Sequence, residues 1–171
     1  ELLLPNNLYI RATMNTSDQS LFPIDSAFKR RWDWKYVPIA KGNNNGTELK
    51  WKIEIDGNQY DWWTFVKTIN KHVFDTTNSE DKQLGFFFCK AKNNIISAET
   101  FVCKVIFYLW NDVFKDFGFD DKIFEDKEDS VNPKLSFDKF YMANGKVNEQ
   151  KIKMFLKNLD IMPIENEDDP E

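Results

Sequence analysis

Glycine and proline are scarce in this 171-residue chain, six of each, and histidine occurs once. None of the glycines opens the pattern GxxxxGK[ST], whose glycines let backbone N–H groups wrap nucleotide phosphates. Lys146 follows Gly145, but Phe140 stands where the first glycine is needed and Val147 where Ser or Thr is needed. An apolar strand ending in Asp-Glu, suited to hold magnesium and a catalytic base, is also missing. The two cysteines, Cys89 and Cys103, match no metal-ligand spacing and build no disulfide framework. Reduced thiols in an intracellular protein are the expectation, and no metal ligands are assigned. No run approaches the roughly 18 apolar residues that span a bilayer. Glu1-Leu2-Leu3-Leu4-Pro5 lacks the basic start and long apolar stretch of a signal peptide. Positive charge is not in excess: 23 Lys and Arg face 28 Asp and Glu, for a net −5. Nucleic-acid binding by the chain as a whole gains no support from that balance. A soluble, cytoplasmic protein without a membrane partner is expected.

Apolar material is plentiful. Hydrophobic residues make up 42% of the chain and aromatics 16%, including sixteen Phe and six Trp, enough for a packed core. Lys41 to Thr47 (KGNNNGT) is rich in turn formers and is the best internal boundary. Beyond it, Leu49, Trp51, Ile53 and Ile55 alternate with Lys50, Lys52 and Glu54, which predicts a strand over 48–56. Asp61 is placed to cap a helix reaching about Phe74, with Trp62, Phe65, Val66, Ile69 and Val73 on one face. Phe86 to Cys89 reads as a short buried strand, and Asn93-Asn94 as a turn. Ser97 caps the strongest predicted helix, 98–117, with Gly118 as its stop. A charged linker is expected over 120–132, then short helices over 136–142 and 148–159. The acidic tail, 160–171, lacks the composition to fold.

The most informative stretch is Leu8 to Pro38. Apolar Leu8-Tyr9-Ile10 leads to a polar cluster, Asn15 to Ser20, then to a short amphipathic segment ending in Lys29-Arg30-Arg31, and an aromatic run from Trp32 to Val37. Strand, polar tip, short helix and strand is the order of a βαβ unit.

These residues carry a resemblance. Leu4-Pro5-Asn6-Asn7-Leu8-Tyr9-Ile10, Thr13-Met14-Asn15-Thr16-Ser17-Asp18 and Ile24-Asp25-Ser26-Ala27-Phe28-Lys29-Arg30-Arg31-Trp32 resemble the sensor-1 and arginine-finger region of McrB-type AAA+ NTPases. These are the motor subunits of modification-dependent restriction systems. Asp81-Lys82-Gln83-Leu84-Gly85 and Phe101 to Trp110 resemble that branch further on, so the likeness covers about residues 4 to 115. The fold implied is α/β: the C-terminal end of an AAA+ P-loop core over 1–40, then a mainly α-helical lid with a small β element over 47–159. With both phosphate-loop and magnesium motifs missing, and no initiator Met, a C-terminal fragment of a longer NTPase is expected, inactive alone.

On residue type alone, Asn15 is a turn residue capping the next segment. The resemblance implies instead that it contacts the γ-phosphate and orients the attacking water. An amide can accept from water and donate to phosphate without adding negative charge. Thr16 and Asp18 complete the Asn-Thr-x-Asp pattern, and Asp18 either orders the active site or caps a helix. Gln19 replaces the arginine found there in many relatives. A bare Lys-Arg-Arg is a solvated basic turn favoured by the helix dipole. In this context the resemblance implies that Arg30 or Arg31 is a finger reaching the phosphate held by a neighbouring subunit. Its planar fork stays charged and stabilises charge spreading in the transition state. Asp25 braces the helix. His72 is a packed or solvated side chain, and Trp62-Trp63, which could stack on nucleobases, are assigned to the core.

The parent protein implied by the resemblance is a ring, expected to be a hexamer, that hydrolyses GTP or ATP with Mg2+. It would translocate DNA and activate an McrC-type nuclease partner. An interaction module derived from such a lid is the alternative.

Overall fold

The computed structural model describes residues 5–13, 25–115, 117 and 122–165. The chain divides into two compact units, Glu1–Val37 and Pro38–Glu171.

In the first unit the expected βαβ order does not form among the described residues. One short helix, α1 (Ser26–Lys29), is present, and neither 8–10 nor 32–37 is a strand. A lone extended segment leaves its N–H and C=O groups unpaired unless a neighbouring strand takes them. Accordingly Tyr9, Ile10, Trp34, Tyr36 and Val37 stay exposed.

The second unit is a small α/β domain with two sheets. Asn45-Gly46 joins β1 (Asn43–Asn44) to β2 (Thr47–Glu48) in an antiparallel hairpin. The predicted strand over 48–56 is thus interrupted: its first residue pairs backwards, and β3 (Lys52–Ile55) starts the main sheet. There β3 pairs antiparallel with β4 (Asn58–Asp61) and parallel with β5 (Ile95–Ser97), in the order β4-β3-β5. Asp56 and Gly57 both take positive φ, 48° and 73°, as the tight two-residue hairpin turn requires. The alternation survives in burial: Ile53 and Ile55 are fully buried, Leu49 and Trp51 partly so.

Helix α2 (Trp62–Thr77) starts where expected, with the Asp61 carboxylate accepting from Thr64 N–H at 2.7 Å. Its predicted apolar face, Trp62, Phe65, Val66, Ile69 and Val73, is completely buried. The Trp62 indole N–H donates to the Phe86 carbonyl at 2.8 Å, so neither Trp62 nor its half-buried neighbour Trp63 is a free stacking surface. Phe86 to Cys89 is not a strand. A turn closed by Phe88 N–H on the Gly85 carbonyl buries Phe86 and Cys89 and turns Phe87 outward.

Helix α3 begins at Ala98–Thr100 with Ser97 as N-cap, then widens into π-helical turns over Phe101–Ile106 and Leu109–Phe114. Its buried positions explain the widening. Phe101, Val105, Leu109 and Val113 repeat every four residues, as do Val102, Ile106 and Phe114 with half-buried Trp110 between them. A regular α-helix would rotate such a row by about 40° per repeat. Wider i→i+5 turns oppose that drift and keep both rows on the core.

The stretch expected to be a charged linker is folded where described. Lys122–Phe124 forms a 3-10 turn whose Ile123 and Phe124 are buried, and Asp126 is 1% exposed. A second 3-10 turn, Phe137–Phe140, replaces the helix expected over 136–142. Helix α4 (Glu149–Asn158) buries Ile152, Phe155 and Leu156. Phe155 meets Phe124 at 5.2 Å and Phe140 at 6.1 Å, joining the ends of the domain in one aromatic core. The start of the acidic tail is also anchored: Ile161 is buried and Ile164 N–H donates to the Gln59 carbonyl.

Candidate functional site

The basic turn after α1 is the part of the expected nucleotide site that lies within the described residues. Asp25 caps α1, its carboxylate accepting from Phe28 N–H at 2.6 Å. The helix ends at once because Arg30 and Arg31 N–H groups turn back onto the Ser26 and Phe28 carbonyls. Trp34 locks the exit: its indole N–H donates to the Lys29 carbonyl at 2.8 Å. Phe28 and Trp32 pack at 5.8 Å across the same turn. The backbone under the three basic residues is therefore fixed locally, while their charged ends stay outside.

The two arginines differ. Arg30 is tied back, its Nε donating to the Ser26 carbonyl at 3.3 Å. Arg31 is exposed, and its guanidinium makes no hydrogen bond or ion pair with the described residues. A guanidinium held by its own helix has fewer donors to offer another molecule than a free one. Asn15, Thr16 and Asp18, with Gln19, lie outside the described residues.

Within the second unit, Asp81 to Gly85 is a clip between helices. Buried Asn70 of α2 donates from Nδ2 to the Leu84 carbonyl and accepts from Leu84 N–H. Gln83 donates to the Asn70 carbonyl, Lys82 to the Asp112 carbonyl, and Tyr108 OH to the Lys82 carbonyl. The polar side chains Lys82 and Gln83 are thus committed to α2 and α3.

Sequence patterning missed an ionic cluster around Asp126. Lys139 reaches it at 3.0 Å and Lys151 at 2.8 Å, while Asp129 and Glu128 take further bonds from the same two amines. Burial pushes the Asp126 carboxyl up, but hydrogen bonds from Lys151, Lys139 and Glu128 N–H outweigh it and hold the group below its ordinary value. Each charge is matched locally, so the cluster ties the 122–132 segment to α4. Among the described residues, no group of three or more His, Cys, Asp or Glu side chains is arranged to hold a metal ion, and no helix is long and apolar enough to cross a membrane.

The described class is thus a small α/β domain, preceded in the sequence by a segment that carries an exposed, capped basic turn. Over 114 residues the chain is 38% identical to the type II restriction enzyme BsuMI component YdiS of Bacillus subtilis (strain 168). That similarity covers 66% of this chain and 33% of the relative, so the chain spans about a third of the length of the curated protein it matches. No family model matches the chain, and no solved structure matches it.

Proposed function

We propose that the chain is the C-terminal part of a McrB-like AAA+ NTPase that serves as a component of a restriction system. Similarity to the BsuMI component supports the restriction role, and the motifs between Leu4 and Trp32 support the motor. The observation that carries the mechanism is Arg31: exposed, unpaired, and set immediately after a capped helix whose backbone is pinned by Trp34. In a ring, hexameric in this reading, such a side chain reaches the γ-phosphate of GTP or ATP, with its Mg2+, held by the adjacent subunit. Positive charge arriving there stabilises the loose transition state of phosphoryl transfer. Arg30, tied to Ser26, positions the turn. Asn15 orients the attacking water, and Thr16 and Asp18 order the phosphate side of the site. Residues 1–40 close the nucleotide-binding core, 47–159 form its lid, and 160–171 are an acidic tail. Hydrolysis drives DNA translocation toward an McrC-type nuclease partner in the cytoplasm.

The test uses the full-length protein that contains this chain. GTP and ATP hydrolysis are measured with DNA present, alongside equilibrium nucleotide binding. Replacing Arg31 with Ala should lower turnover by about 10³-fold or more while binding persists. Arg30→Ala should cost far less. Parental turnover in an Arg30→Ala/Arg31→Ala double variant would sink the finger assignment.

A further inference from the structure

The turn that carries Arg31 closes on one carbonyl. Helix α1 has only four residues, so its last carbonyls find no partner further along the helix. The Lys29 carbonyl accepts two bonds, from Trp32 N–H at 3.3 Å and from the Trp34 indole N–H at 2.8 Å. The backbone bond is the long, weak closure of a helical turn; the indole bond is the shorter and comes from beyond the arginine. Residues 30 to 33 are thereby held in a loop whose ends meet at Lys29, with Arg31 inside it. The Phe28–Trp32 ring contact at 5.8 Å braces the helix side of this loop and leaves its exit to Trp34. Trp34 is 56% exposed, so water could serve its N–H equally well. The bond therefore does not rescue a buried donor. Its effect is on the path of the backbone between residues 29 and 34.

We propose that Trp34 is a positioning residue for Arg31, its indole N–H holding the turn in the path that presents the guanidinium to the nucleotide of a neighbouring subunit. This rests on Arg31 being the finger, as proposed above, and adds the group that sets its reach. A guanidinium stabilises the transition state only from the right place, and a misplacement of about 1 Å can cost about 100-fold in rate. One neutral hydrogen bond shifts the balance between a held and a released turn by about fivefold. Loss of the indole N–H should therefore lower turnover about five- to tenfold, far less than loss of Arg31 itself. Nucleotide binding is the neighbour's and should not change.

The experiment is GTP and ATP hydrolysis by the full-length protein that contains this chain, comparing the parent, Trp34→Phe, Arg31→Ala and the double variant. Trp34→Phe keeps an aromatic ring and removes the donor. Benzothienylalanine at position 34 keeps the indole's shape, replaces only the N–H with sulfur, and should show the same loss. In both, kcat should fall about five- to tenfold while KM stays within about twofold, as for an interaction realised only in the transition state. In the Arg31→Ala background, followed with radiolabelled γ-phosphate, Trp34→Phe should cost less than about twofold, because nothing is left to position. An equal loss in both backgrounds would give Trp34 a separate or merely structural role and overturn the proposal. A loss confined to KM would overturn it as well. Parental turnover with either replacement of Trp34, beside a large loss in Arg31→Ala, would overturn it and leave the finger standing. Parental turnover in Arg31→Ala would remove the finger itself, and the role of Trp34 with it.

Discussion

Asn70 and Leu84 exchange two hydrogen bonds inside the core, Asn70 Nδ2 to the Leu84 carbonyl at 2.8 Å and Leu84 N–H to Asn70 Oδ1 at 2.7 Å. A side-chain amide here does the work of a strand partner for a loop with no sheet beside it. Both backbone groups are buried, so removing the amide leaves two unsatisfied polar atoms. Asn70→Ala should therefore destabilise the domain by about 3 kcal/mol, read as a lower urea midpoint with an unchanged slope. A loss under about 1 kcal/mol would mean that water or another group takes over these bonds.

Gly42 lies against Phe86, and a methyl group there would overlap the Phe86 ring and press on Phe87. Phe86 is itself wedged against Trp51 at 4.8 Å and cannot retreat cheaply. Gly42→Ala should cost about 1–3 kcal/mol in the same urea assay. An unaffected midpoint would show that the 38–49 segment moves instead of the rings.

The pH dependence of stability follows from the Asp126 cluster. Asp126 is held below its ordinary 3.8, so its contribution is complete above the unfolded pKa and is lost as pH falls through the folded one. For Lys139 and Lys151, burial pushes the amines down, but bonds from Lys139 to Asp129 and Asp126, and from Lys151 to Asp126 and Glu128, raise both above 10.5. Their contribution is complete below the unfolded pKa and is lost as pH rises through the folded one. Stability should be flat between the two limits and fall at both ends. Asp126→Asn takes the buried carboxylate from two amines that keep Asp129 and Glu128 as partners, and should cost about 1–3 kcal/mol at pH 7. It should also make the acid limb shallower, because one depressed carboxylate no longer titrates. Identical acid limbs in the two proteins would refute this role for Asp126.

What could be read from the chain beforehand was whatever depends on near neighbours. Asp61 and the Trp62-to-Val73 stripe define α2, and Ile53 and Ile55 alternate as a half-buried strand must. The fold of 122–132, within the charged linker expected over 120–132, is hidden from local patterning because its charges look solvated. Asp126 is buried only because Lys139 and Lys151, 13 and 25 residues away, reach it. Phe86 to Cys89 carried strand composition, but burying Phe86 and Cys89 three residues apart needs a turn. In the candidate site, the pair Arg30 and Arg31 was legible as a motif. The difference between them rests on one side-chain rotamer bonded to Ser26, which no spacing rule reports.

The two thiols should separate cleanly by chemistry. Burial pushes the Cys89 thiol up to about 12, and the residue is only 1% exposed, so both thiolate fraction and access are low. Cys103 is exposed on α3, its sulfur 3.2 Å from the Tyr141 hydroxyl. With a chromogenic disulfide reagent at pH 8, the folded chain should release one equivalent of chromophore quickly and the second only as it unfolds. Cys103→Ser should abolish the fast phase and Cys89→Ser should leave it intact. Urea should convert the slow phase to a fast one at the midpoint seen by circular dichroism, because the barrier is burial in the hydrophobic core. Two fast equivalents from the native protein would show that the turn at Phe86 to Cys89 opens far more readily than its packing implies.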